Sequence, residues 1–180
     1  MEKSVSNWQL AGFVFTGTLG TFLHFLFDLT QGSILAALVS AVNESIWEHM
    51  KLLFYPMLFF ALIEYFVWGK VCRRFWCVKL VGIGMGLLLI PVFYYTYTGS
   101  LGVSIDWFNI TIFFISAALV FWTENRLFRS ETLFSLPPSA AVAALCLLAV
   151  LFTVLTFSPP HIPLCRDPVT GAYGLQKILR

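Results

Sequence analysis

Long apolar runs separated by short polar breaks define this chain. The first runs from about Trp8 to Phe27 and gives way to Leu29-Thr30-Gln31-Gly32. Next, Ser33 to Val42 is apolar but only about ten residues long, which covers roughly half a bilayer core at ~1.5 Å per residue. Further runs lie at about Ser45–Trp68, Phe75–Tyr97, Ile105–Trp122 and Ser139–Phe157. The runs are continuous rather than alternating, so they predict helices and disfavour a β-barrel. The expected fold is an all-α integral membrane bundle of about five transmembrane helices. A re-entrant or interfacial half-helix, Ser33 to Val42, precedes the second span.

Local signals refine these elements. Ser45-x-x-Glu48 matches a capping box, in which hydroxyl and carboxylate satisfy free N–H groups at a helix start. Pro56 and Pro91 should bend or loosen the second and third spans. Gly12, Gly17 and Gly20, and Gly82-x-Gly84-x-Gly86, are read as small residues that let helices approach closely. No internal repeat divides the chain into related halves. The chain is therefore read as one domain, 1–180, with a Pro-rich tail over 158–180.

Composition agrees with the pattern. The chain is 59% hydrophobic and 11% charged, with a mean hydropathy of +0.85. A soluble domain carries roughly 25% charged residues and needs them to cover its surface. A net charge of +2 with no long Lys/Arg cluster argues against nucleic acid. Membrane lipids are the expected surroundings. Cys72, Cys77, Cys146 and Cys165 show no metal or disulfide spacing. The first run reaches spanning length, carries His24 and Asp28 and lacks a cleavage site, so it reads as a retained helix.

Basic residues set the orientation. Lys70, Arg73, Arg74 and Lys79 follow the second span, and Arg126 and Arg129 follow the fourth, beside Glu124 and Glu131. The loop after the third span has no Lys or Arg. Arg166, Lys177 and Arg180 in the tail oppose this bias weakly. The expectation is a multi-pass protein of the plasma (inner) membrane with its N-terminus cytoplasmic and its tail outside. The ends carrying His24, Asp28, Glu44, Glu48, His49, Asp106 and His161 would then share the outer face. Glu64 and Glu124 would lie near the inner one, Glu64 pairing with or snorkelling toward the basic loop.

Charge inside apolar sequence is costly and marks function by default. His24 and Asp28 lie four apart, as do Glu44 and Glu48, and Ser45 and His49, so each pair shares a helical face. Imidazole and carboxylate together suit zinc or another divalent ion. His24, Asp28 and His49 are the candidate metal ligands, Glu44 and Glu48 the candidate catalytic groups, and Asn43, Ser45 and Lys51 the candidate substrate contacts. No H-E-x-x-H motif is present. Plainer roles compete: Glu48 can cap a helix and pair with Lys51, and His161 can be a solvated tail residue or part of a lid.

The run Val42-Asn43-Glu44-Ser45-Ile46-Trp47-Glu48-His49-Met50-Lys51, with Phe54 and Pro56 after it, resembles a signature of small prokaryotic multi-pass membrane proteins of unknown function. His24-Phe25-x-x-Asp28 and Pro163-Leu164-x-Arg166-Asp167-Pro168-Val169-Thr170-Gly171-x-Tyr173-Gly174 are similar to the same family. Cys165 departs from it, standing where an aromatic is expected. The resemblance implies a prokaryotic membrane protein and lends no activity.

Three functions fit these residues. The first is a membrane-embedded, metal-dependent hydrolase acting on a lipid or lipid-linked substrate. The second is a small ion- or proton-coupled carrier or channel. The third is a non-catalytic assembly protein whose polar cluster locks the half-helix in place.

Overall fold

The computed structural model describes residues 2–130 and 136–177. Glu131 and Arg180, counted above among the charges, lie outside the described residues. Among the described residues six helices follow one another: α1 (Glu2–Leu29), α2 (Ile34–Ala37), α3 (Ile46–Val67), α4 (Phe75–Leu101), α5 (Asp106–Arg129) and α6 (Pro138–Phe157). Short 3₁₀ turns lie at Gly69–Val71, Pro163–Cys165 and Gly174–Lys177. Among the described residues there is no strand, only an isolated bridge between Arg166 and Tyr173. Five of the helices are long and apolar enough to cross a membrane.

The helices outrun the apolar stretches that announce them. α1 begins at Glu2 rather than near Trp8, and α5 continues to Arg129 rather than stopping near Trp122. A helix hydrogen-bonds its own backbone, so it can continue into polar sequence once the apolar segment has formed it. α3 and α4 run through Pro56 and Pro91. Gly102 closes α4 with φ +73, a left-handed C-terminal cap that suits glycine.

The segment between α1 and α3 differs from the expected half-helix. Only Ile34–Ala37 is helical. The Ala37 carbonyl, which a longer helix would give to Ala41, instead accepts from Lys51 Nζ at 2.9 Å. The helix ends there, and Ser40 bonds back to Ala36 O at 2.6 Å.

Four long helices form a closed ring in the order α1–α3–α4–α5, with α5 returning to α1. α6 packs outside it against α4 and α3. Phe60 of α3 joins the ring, with its ring centroid 5.4 Å from Phe15 of α1 and 6.4 Å from Phe121 of α5. Phe152 seats α6 by stacking on Trp47 and Phe54 of α3. At Gly20, a Cβ would come 2.6 Å from the Leu52 carbonyl oxygen, so the close approach of α1 and α3 there requires glycine. Gly84 meets nothing within 4 Å of such a Cβ and has no packing role of this kind. The outward faces carry Leu10, Val14 and Phe22 on α1, Leu88 on α4, and Leu147 and Val154 on α6. Apolar surface of this extent needs an apolar solvent or a partner.

Candidate functional site

The ring has two polar ends. At one end, the close of α1 meets the start of α3, the α2 segment and the tail after α6. There a ring nitrogen of His24, a carboxylate oxygen of Glu44 and a ring nitrogen of His49 all lie within 4.8 Å of one another. The two imidazole centroids are 5.4 Å apart. His24 is positioned by α1, His49 by the first turn of α3, and Glu44 by the loop before it.

The protonation pattern of His49 follows from its contacts. Nδ1 lies 2.9 Å from the Ser45 carbonyl, which can only accept, so Nδ1 carries the proton. In the neutral ring Nε2 is then a lone pair. That atom faces Glu44 Oε2 at 3.4 Å. A lone pair against a carboxylate is unfavourable unless a cation or a second proton stands between them. Fixing one imidazole nitrogen on a carbonyl to aim the other is also how metal-bound histidines are oriented. His24 Nδ1 is buried with no hydrogen-bond partner. Half of the Glu44 side chain is exposed, so the group is open on one side.

The remaining candidates have other places. Asp28 is exposed and lies outside the His24–Glu44–His49 set. Ser45 caps α3, its hydroxyl accepting from Glu48 N at 3.3 Å. Asn43 accepts from Ser45 N at 2.9 Å and donates to the Gly174 carbonyl at 3.1 Å, which ties the tail to this end. His161 packs edge-on against the Tyr173 ring within the tail. Asp167 is buried there, accepting from Val169 N and from the Thr170 hydroxyl. Cys165 is buried too, and desolvation pushes its thiol up from the ordinary value.

Glu48 and Lys51 form a separate, sealed network. Lys51 Nζ is 2.6 Å from Glu48 Oε2 and also donates to Ala37 O and Thr156 Oγ1. Glu48 Oε1 accepts from Thr156 Oγ1, and Oε2 accepts from Val42 N. The capping box is therefore half formed: the serine caps, but the carboxylate reaches past Ser45 to Val42. Both side chains are essentially inaccessible. Their placement opposes the catalytic role expected of Glu48 and the substrate contact expected of Lys51, because every polar atom is already engaged inside the protein.

The other end of the ring holds a cluster in which Glu64 does pair with one of the basic residues that follow the second span. Lys79, counted as a loop charge, is buried in the second turn of α4 between Glu64 of α3 and Glu124 of α5. Its ammonium lies 2.6 Å from Glu124 Oε2 and also contacts Glu64 Oε2. Gln9 of α1 donates to Glu64 Oε1 at 3.1 Å. Gln9 had no role assigned from the sequence. The available signal was that Lys79 follows Phe75 by one helical turn and is flanked by Val78 and Leu80, so it belongs to the span rather than the loop.

One family model matches residues 1–175, taking in both polar ends and the tail turn. The chain belongs to the DUF6512 family, a family of unknown function. No curated protein and no solved structure matches it. DUF6512 membership brings no activity to these clusters, so their function rests on their own geometry.

Proposed function

We propose that the protein is a multi-pass membrane protein that binds a divalent metal of zinc type through His24, Glu44 and His49. The expected orientation places this site near the outer face of the plasma membrane, with the N-terminus cytoplasmic and the tail outside. The observation that carries the reading is the convergence of three ligand atoms within 4.8 Å, one of them aimed by the Ser45 carbonyl. Two imidazoles and one carboxylate are a ligand set used by zinc hydrolases, with one position left open. A metal there would act as a Lewis acid and make hydroxide available near neutral pH. With Glu44 held as a ligand, the exposed Asp28, one helical turn after His24, is the carboxylate left to handle a proton. A lipid or lipid-linked substrate suits a site at the end of a bundle whose outward faces are apolar.

Metal content by mass spectrometry of the detergent-purified protein tests this reading. Near one metal per chain is expected in wild type. His24→Ala and His49→Ala should each lose it while staying folded. A folded wild type without metal after zinc is offered would overturn it.

A small proton- or ion-coupled carrier is the second reading, favoured by the buried Gln9, Glu64, Lys79 and Glu124 on four different helices. Proton-dependent flux in liposomes, lost in Glu124→Gln, would select it.

A further inference from the structure

The formal charges of the Lys79 cluster do not cancel. One ammonium stands between two carboxylates, and all three side chains are at most 1% exposed. α1 brings the neutral amide of Gln9, α3 brings Glu64, α4 brings Lys79 and α5 brings Glu124. The rings of Phe75, Phe121 and Phe128 lie 5.6–5.8 Å from the ammonium and supply only weak cation–π compensation. Fully ionised, this group would hold one uncompensated negative charge in a dry interior. Proteins avoid that state by neutralising the group.

We infer that the cluster is a proton-binding site, holding one proton on the carboxyl of Glu124 beside an ionised Glu64. The hydrogen bonds show where that proton fits. Glu64 receives the Gln9 amide on Oε1 and the ammonium on Oε2. A donor on one oxygen and a cation against the other favour the carboxylate form. Glu124 receives the ammonium on Oε2 alone, and its Oε1 is buried with no partner. That bare oxygen is the seat for the proton. It leaves little room for a hydrated cation, because Glu124 presses against the backbone of α4. A Cβ at Gly82 would come 2.7 Å from Glu124 Cγ.

The contrast with the opposite end supports the assignment. There one lysine meets one glutamate and Thr156 and Val42 satisfy the remaining lone pairs. That pair is neutral as it stands and needs no added proton. The proton site is independent of the metal reading, since its four residues lie at the other end of the ring.

Infrared spectroscopy of the full-length protein in liposomes tests it through the C=O stretch of a protonated carboxyl, identified by its shift in heavy water. Wild type at neutral pH should show one such band from the cluster. Glu124→Gln and Glu64→Gln should each abolish it, because each leaves one carboxylate for one ammonium. Lys79→Met should raise the band about two-fold, with both carboxyls protonated. If Lys79→Met fails to fold, the two glutamine variants still decide, since each keeps a neutral ion pair. A folded wild type without the band, or a band unchanged in Glu124→Gln, would overturn the proposal. Loss of the band on adding sodium at constant pH would overturn it in favour of a cation site.

Discussion

Lys51 and Lys79 each place an ammonium where water does not reach, and each is held by carboxylates from within the bundle. Removing one partner of such a pair strands the other charge, at about 3–5 kcal/mol. Lys51→Met should therefore lower thermal stability severely by leaving Glu48 unpaired. The double variant Glu48→Gln/Lys51→Met should recover much of that loss, and thermal melts of wild type, the two single variants and the double variant check it. Near-additive losses would show that the two side chains stabilise separately. His24 and His49 could be paired from the sequence because each lies near the end of a helix that the hydropathy pattern defines. The pairing of Glu48 with Lys51 was legible from their i,i+3 spacing, but the sealing of that pair was not, because Thr156 and Ala37 are remote and carry no charge.

At the scale of elements, the five long helices were legible because apolar runs of spanning length have few alternatives. The α2 segment was less so. Its ten apolar residues are enough for a longer helix, but a lysine from α3 takes the carbonyl that would extend it. Competition of that kind is invisible to local pattern. The tail was legible only as a Pro-rich terminus. Its attachment runs through the Asn43 amide and the Gly174 carbonyl. Asn43→Ala removes that hydrogen bond, at about 1 kcal/mol. The tail after Ser158 should then be cut faster by a protease added to intact proteoliposomes, while the helical core survives. Equal cutting rates in wild type and variant would show that the tail is held by its apolar contacts instead.

For the whole molecule, the two polar ends divide the chemistry. The end with His24, Glu44 and His49 is partly open, whereas the end with Gln9, Glu64, Lys79 and Glu124 is closed. Lys79 also changes the charge count that set the orientation. It belongs to α4 and is consumed by ion pairs, so Lys70, Arg73 and Arg74 are left to mark the loop after α3. The expected orientation still follows from those three with Arg126 and Arg129.

The buried charges of α3 have a consequence for synthesis. Glu64 waits for Lys79 of α4, Lys79 is shared with Glu124 of α5, and Glu48 and Lys51 wait for Thr156 of α6. The chain leaves the ribosome in that order, so α3 enters the bilayer before the residues that neutralise or cap its charges exist. Its early passage is therefore provisional, and the later helices retain it. A ribosome-stalled chain ending after α3 should integrate poorly and resist extraction only weakly, whereas one that includes α4 and α5 should be retained. That result would make the C-terminal half an insertion factor for its own upstream segment, supplied by the same messenger.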